Sequence, residues 1–320
     1  MLRFAAPRVA AGLATAIVVL AAACASGGDD DVPESGQTAS LTPAAATCPA
    51  GASATPGTTR YTIDDPAGGD ARSYLLHVPE DLAPATTAPL VIALHGFDST
   101  AEALLEYTGL TAAGELAGYI VAAPQAAGAP AEWNDEGGAA GDIEFIRAVI
   151  TDAQQQACID PARVYVVGFS NGGGMAQRVA CELPQDVVAI AVVAATYQSC
   201  QAAVPLIAFH GTADAAVPFE GGANPIARGG GEFPLVRRSV SEWARELRCD
   251  GLPTISRPSQ NVELSTFKRC AAGDGEVLLY TILGGGHTWP GAVPLDPVFV
   301  GNTTDEIDAS ATILAFFDER

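Results

Sequence analysis

Residues 163–174 read RVYVVGFSNGGG, and the fold of the chain turns on this stretch. Residues 164–167 (VYVV) are apolar and mostly β-branched, the composition of a strand buried on both faces. Residues 175–183 (MAQRVACEL) carry a helical pattern. Between them stands Gly168-Phe169-Ser170-Asn171-Gly172, a G-x-S-x-G. A strand that turns this abruptly into a helix leaves no room for side chains two positions either side of the serine, and both are glycine. The turn presents the hydroxyl at a helix N-terminus, where backbone N–H groups point outward. In a chain with 34 glycines the motif alone means little. Its place between strand and helix gives it weight and marks Ser170 as a nucleophile.

Six further apolar runs repeat the strand pattern: 73–79, 89–96, 119–124, 188–195, 204–211 and 276–283. Helical segments alternate with them. Ser99-Thr100-Ala101-Glu102 reads as a capping box opening one helix. Asp142 is placed to cap the next, where Ile143, Ile146, Ile150, Ala153 and Ala157 recur at helical spacing. A last helix near 305–318 turns Ile313, Leu314, Phe316 and Phe317 to a core. This alternation predicts an α/β fold, a mostly parallel sheet with helices on both faces. Chemistry in such sheets sits beyond the carboxyl ends of the strands. Four ends carry reactive side chains: His95, Ser170, His210 with Asp214 beyond it, and His287 in GGGHTWPG (284–291).

A serine hydroxyl needs a base within hydrogen-bond reach, and the base needs an orienting acid. On sheets carrying this elbow the order is Ser, then Asp or Glu, then His. His210 lies inside an apolar strand end and reads as a packed residue with a local backbone bond. His287, on the loop after the last apolar strand, is the base. Its three preceding glycines are expected to let the loop pass close to the serine elbow. Asp214, four residues past a strand end, is the acid, against the plainer reading of a turn residue satisfying its own backbone. Asp274 and Glu276 stand at the wrong end of the last strand. The oxyanion donors are the backbone N–H groups of Asn171 and of Phe97, with Gly96 letting the loop approach. His95 reads as packed structure, or else as a residue standing behind those that meet the substrate. No metal or organic cofactor is needed, and no CxxC or HxxxH spacing offers a metal site. Trp289 reads as a pocket wall or a loop-fixing plug, Trp133 as a loop aromatic for substrate, and Trp243 as core. Segment 220–235 reads as part of the rim.

The ends and the composition set the compartment. Residues 1–8 hold two arginines and no acid, and 9–23 are a short apolar run, too short to span a bilayer. Residues 1–23 thus read as a signal peptide. Cys24 follows LAAA as a lipidated cysteine would, so membrane attachment, if any, is through an N-terminal lipid. Residues 24–57 read as a flexible tether and 58–320 as one catalytic domain. The six other cysteines suit disulfides, with Cys249–Cys270 paired first. The formal net charge of −21 and a single lysine exclude nucleic acid as a partner.

The set LHGFDST, RVYVVGFSNGGGMA, HGTADAAVPFEGG and GGGHTWPG resembles the secreted poly(3-hydroxybutyrate) depolymerase and feruloyl/acetylxylan esterase family of α/β-hydrolases. The resemblance covers roughly 58–320. It implies a serine esterase that forms an acyl-enzyme through Ser170, Asp214 and His287. It also implies the Cys249–Cys270 bridge and a place for Trp133 near the site entrance. Phe97-Asp98 departs from the family pattern, which often has a cysteine after His-Gly, so no disulfide is expected there. No polymer-binding domain is expected after Arg320. An acyltransferase on the same fold and a non-catalytic surface lipoprotein are the alternatives. Acceptor alcohols test the first and a fluorophosphonate probe the second.

Overall fold

The computed structural model describes residues 48, 55–83, 86–135, 141–195, 204–223, 232–271 and 276–320. The signal peptide, Cys24, Asp274, most of the tether and residues 224–231 of the 220–235 segment lie outside them. Twelve strands and seven helices follow along the described chain: β1 (Gly57–Ile63), β2 (Arg72–Val78), β3 (Ala88–Leu94), α1 (Ala101–Thr108), α2 (Leu110–Ala117), β4 (Ile120–Pro124), α3 (Gly141–Gln156), β5 (Ile159–Phe169) and α4 (Asn171–Glu182). After these come β6 (Ala189–Val193), β7 (Leu206–Gly211), β8 (Gly222–Ala223), β9 (Glu232–Phe233), α5 (Val236–Glu246), β10 (Thr254–Ser259), β11 (Val262–Phe267), β12 (Val277–Ile282), α6 (Pro297–Val300) and α7 (Ala309–Asp318).

Ten strands form one sheet in the order β1-β2-β4-β3-β5-β6-β7-β12-β11-β10. Its centre, from β4 to β12, is parallel, and all seven runs read from the sequence are strands of this sheet. β1 and β2 on one side, and β10 and β11 on the other, pair antiparallel. Sequence periodicity missed the edge strands β1 and β10, which are mostly exposed and carry few apolar residues, and β11, which mixes polar and apolar residues with no regular alternation. Every residue of β3 is buried, and its side chains alternate between two cores. Leu90, Ile92 and Leu94 face the core built with α3, α4 and α5. Val91 and Ala93 face the core built with α1 and α7. This two-sided burial is why the central strands read as unbroken apolar runs.

Local details correct three expectations. Thr100, not Ser99, caps α1, its hydroxyl accepting from Ala103 N–H at 3.1 Å. Glu102 is therefore one residue short of closing a capping box and pairs with Arg60 instead. Asp142 lies inside the first turn of α3, where it accepts from Asn134 N–H at 2.9 Å and pairs with Arg72 at 2.8 Å. The folded unit also begins before residue 58, since β1 opens at Gly57 and Cys48 is disulfide-bonded to Cys158. Cys249 and Cys270 are bonded as expected, and Cys181 is also in a disulfide. Among the described residues no helix is long and apolar enough to cross a membrane.

Candidate active site

The elbow is built by steric exclusion. β5 ends at Phe169 and α4 begins at Asn171, so Ser170 alone makes the turn, with φ of 54°. That conformation costs a residue with a Cβ about 1–3 kcal/mol and is held by its surroundings. Ser170 N–H donates to Val193 O at 2.9 Å, and Ser170 O accepts from Gly173 N–H at 2.8 Å. A Cβ on Gly168 would fall on the Gly172 carbonyl, and one on Gly172 on the carbonyls of Leu94 and His95. Here the glycines are demanded by close backbone approach, as the sequence reading required.

Ser170, His287 and Asp214 are brought together from three loops. Ser170 Oγ lies 2.9 Å from His287 Nε2, and His287 Nδ1 lies 2.8 Å from Asp214 Oδ2. The Asp214 side chain is fully buried and that of His287 is 14 % exposed. Asp214 Oδ1 accepts from Ala216 N–H at 2.9 Å and Val217 N–H at 2.8 Å. One carboxylate oxygen therefore satisfies the turn's own backbone, and the other faces His287. The ring of Phe169 packs on the His287 ring at 5.1 Å between centroids. Nothing in the sequence beyond its place as the variable residue of the G-x-S-x-G points to that contact.

The glycines before His287 meet different neighbours from those expected. A Cβ on Gly286 would strike Val300 O and Gly301 Cα, and one on Gly285 would strike Ile282. A Cβ on Gly211 would in turn strike the carbonyls of Gly285 and Gly286. The loop is thus dovetailed into the end of β7 and the 300–301 backbone rather than against the serine elbow. His287 N–H donates to Val300 O at 2.6 Å, which fixes the base from the far side.

Trp133, read as a loop aromatic for substrate, and Trp289, read as a pocket wall or a plug, are both buried, each 1 % exposed. The Trp289 indole N–H donates to Ser310 Oγ at 3.0 Å, and its backbone N–H donates to Tyr107 OH at 3.0 Å. It is the plug that fixes the base loop on α1 and α7. The Trp133 indole N–H donates to His95 O at 2.9 Å, and its backbone exchanges two bonds with the Asn171 side chain. It braces the His95 carbonyl and the Asn171 side chain and, being buried, offers no open face. Trp243 is core, as read, donating to Val204 O. Glu276 pairs with Lys268 and Arg320, away from the site.

The N–H groups of Phe97 and Asn171 have no acceptor among the described residues, while the Asn171 side chain is committed to Trp133. Gly96 lies against the nucleophile, a Cβ there falling 3.4 Å from Ser170 Cβ. His210 is buried and packed, as expected, with Nε2 donating to Val217 O at 2.8 Å and 3.4 Å from Asp214 Oδ2. Burial lowers the pKa of His210, and that of His95. No group of three or more His, Cys, Asp or Glu side chains placed to hold a metal occurs among the described residues.

This arrangement can activate a hydroxyl against a carbonyl carbon. Residues 72–215 match the family described as esterase PHB depolymerase, a stretch that includes Ser170 and Asp214. "Putative esterase NocK" of Nocardia uniformis subsp. tsuyamanensis is 33 % identical over 78 % of this chain and 79 % of its own length. Feruloyl esterase B of Piromyces equi is 35 % identical over 46 % of this chain and 29 % of its own. Feruloyl esterase C of Emericella nidulans is 28 % identical over 48 % of this chain and 58 % of its own. The match therefore spans less than two thirds of either feruloyl esterase. An acetyl xylan esterase structure from Aspergillus awamori superposes with a TM-score of 0.56 at 16 % identity, covering 75 % of this chain and 96 % of that one. That likeness is one of fold, the α/β-hydrolase fold.

Proposed function

The chain belongs to the poly(3-hydroxybutyrate) depolymerase and feruloyl esterase family and is a carboxylic-ester hydrolase, and we propose that it works through an acyl-enzyme on Ser170. The observation that carries this reading is the unbroken bond path from Ser170 Oγ through His287 to Asp214, at 2.9 and 2.8 Å. His287 Nε2 takes the hydroxyl proton as Ser170 Oγ attacks the ester carbonyl. The backbone N–H groups of Phe97 and Asn171 hold the developing oxyanion. Asp214 keeps the proton of the neutral ring on Nδ1 and stabilises the imidazolium that forms. That imidazolium protonates the departing alcohol, and water then repeats the sequence to release the acid.

The ester class is feruloyl or acetyl esters of glycans, or hydroxyalkanoate oligomers. Relatives named feruloyl esterase put the first at the head of an assay panel. Export rests on the charged and apolar start of the sequence, with Cys24 as the lipid attachment point. The disulfides at Cys48–Cys158 and Cys249–Cys270 support it, since such bonds persist in oxidising compartments.

The test is turnover of p-nitrophenyl, feruloyl, acetyl and 3-hydroxybutyrate esters by the wild type and by Ser170→Ala. Loss of about 10⁴-fold or more in kcat is expected for the variant. Near-normal turnover by Ser170→Ala would sink the assignment. Product analysis with added alcohols separates hydrolysis from acyl transfer, and a transesterified product dominant at low alcohol would make the enzyme a transferase.

A further inference from the structure

The peptide unit joining Gly96 to Phe97 has a held side and an open side. Its oxygen accepts from the ring of the preceding residue, His95 Nδ1–H, at 2.7 Å. A trans peptide points its C=O and N–H in opposite directions, so anchoring the oxygen sets the direction of the Phe97 N–H. The neighbouring units are held too. His95 O accepts from the Trp133 indole, and Asp98 N–H donates to Ala131 O at 2.8 Å. The Phe97 N–H has no acceptor among the described residues, in a loop whose Gly96 lies against Ser170.

The ring can do this in one protonation state only. His95 Nε2 faces Ala126 N–H at 3.0 Å and the Gln125 side-chain amide at 3.1 Å. A backbone N–H cannot accept, so Nε2 carries the lone pair and the single ring proton sits on Nδ1. The Gln125 amide is itself oriented, since its oxygen accepts from Ala101 N–H at 3.0 Å and its nitrogen faces Ser99 O at 3.3 Å. The ring is wholly buried against Trp133, at 5.2 Å between centroids, and burial favours the neutral form. A histidine that merely filled space would need neither this tautomer nor these partners.

We propose that His95 is a positioning residue. Ala126 and Gln125 impose its Nδ1–H tautomer, and that N–H anchors the Gly96 carbonyl and so aims the Phe97 N–H at the developing oxyanion. The inference rests on the reading of Ser170 as the nucleophile.

The test compares His95→Phe, His95→Gln and His95→Asn in the full chain, with Ser170→Ala alongside. Folding is followed by near-UV circular dichroism, and active sites are counted by exhaustive fluorophosphonate labelling. For each variant kcat and KM are measured on p-nitrophenyl acetate. Ki is measured for a trifluoromethyl ketone, whose hemiketal oxygen occupies the oxyanion position. His95→Phe and His95→Gln should lower kcat per labelled site by about 10²-fold, within the cost of losing one oxyanion donor. KM should change by less than about threefold, and the ketone Ki should rise in proportion to the fall in kcat. His95→Asn places an amide N–H where Nδ1–H stood and should recover about tenfold of the loss. Folded His95→Phe with unchanged kcat and Ki would overturn the proposal, as would His95→Asn no better than His95→Gln. The Asn–Gln pair decides the matter if His95→Phe does not fold. An active Ser170→Ala would remove the reading beneath. An inactive one beside unaffected His95 variants would remove this inference alone.

Discussion

Replacing Asp214 by asparagine separates catalysis from stability, because the two carboxylate oxygens have different tasks. Oδ1 accepts two backbone N–H groups, from Ala216 and Val217. Oδ2 accepts from His287 Nδ1 at 2.8 Å, with His210 Nε2 at 3.4 Å. An asparagine that keeps its oxygen on the two backbone groups must turn its NH₂ toward His287. Donor then faces donor. The imidazole answers by moving its proton to Nε2, which removes the lone pair that faces Ser170. A base in the wrong tautomer costs about 10⁴-fold in kcat, or about 5 kcal/mol of transition-state stabilisation. Folding should suffer far less. A charge-assisted bond becomes a neutral one, a loss of about 1 kcal/mol. Asp214→Ala leaves both backbone N–H groups without their acceptor, at about 1–3 kcal/mol each. The assay is kcat/KM on p-nitrophenyl acetate paired with urea melts of both variants. Asp214→Asn within about tenfold of wild type beside an inactive Ser170→Ala would refute the orienting role. Equal melting midpoints for Asp214→Asn and Asp214→Ala would refute the division of labour between the oxygens.

Gly286→Ala should destabilise the protein by more than about 2 kcal/mol and lower kcat, because the added methyl meets backbone at Val300 and Gly301 that no rotamer can move. Gly284→Ala meets open space and should cost only the left-handed strain at φ 72°, about 1 kcal/mol. Urea midpoints compare the two, and equal shifts would contradict the dovetailing. His95 and His210 both have pKa values lowered below 6.5 by burial, so below that pH the unfolded chain binds protons that the folded one does not. Their contribution to stability is full above about pH 6.5 and falls as the pH drops from there through the lowered values. The slope is up to about 1.4 kcal/mol per pH unit for each histidine. Urea melts from pH 7.5 to 5.5 measure it, and a flat midpoint would contradict the burial of the two rings. Cys249→Ser should cost about 3 kcal/mol through a bridge spanning 21 residues, with kcat unchanged below the melt. A drop in kcat at full folding would tie the bridge to the site.

The central sheet and the three side chains of the proposed site were legible in the sequence because each rests on a local constraint. Strands buried on both faces must be apolar throughout, as β3, β6 and residues 164–168 of β5 are. A strand-to-helix turn must be flanked by glycine, and a general base needs a loop to reach across a sheet. The edge strands were not legible, because β1 and β10 are exposed along most of their length and no apolar pattern is needed to place them. Trp133 was not legible either. Loop position made it look available, yet it serves the His95 backbone out of solvent, while Trp289 takes the loop-fixing one of its two readings, tied to Ser310 on α7.

By itself the sequence determined which residues could react: one serine at an elbow, one late histidine on a loop and one aspartate past a strand end. The tertiary structure decided what holds them. The Asp214 oxygens are split between its own turn and His287, and the glycines of 284–286 are fitted to Val300 and Gly211 rather than to the serine. The His95 ring is turned toward the next carbonyl by Ala126 and Gln125. These pairings join segments far apart in the chain; Asp214 and His287 are 73 residues apart. A hydrogen bond or a steric contact depends on distance in space, and only the folded chain sets that distance.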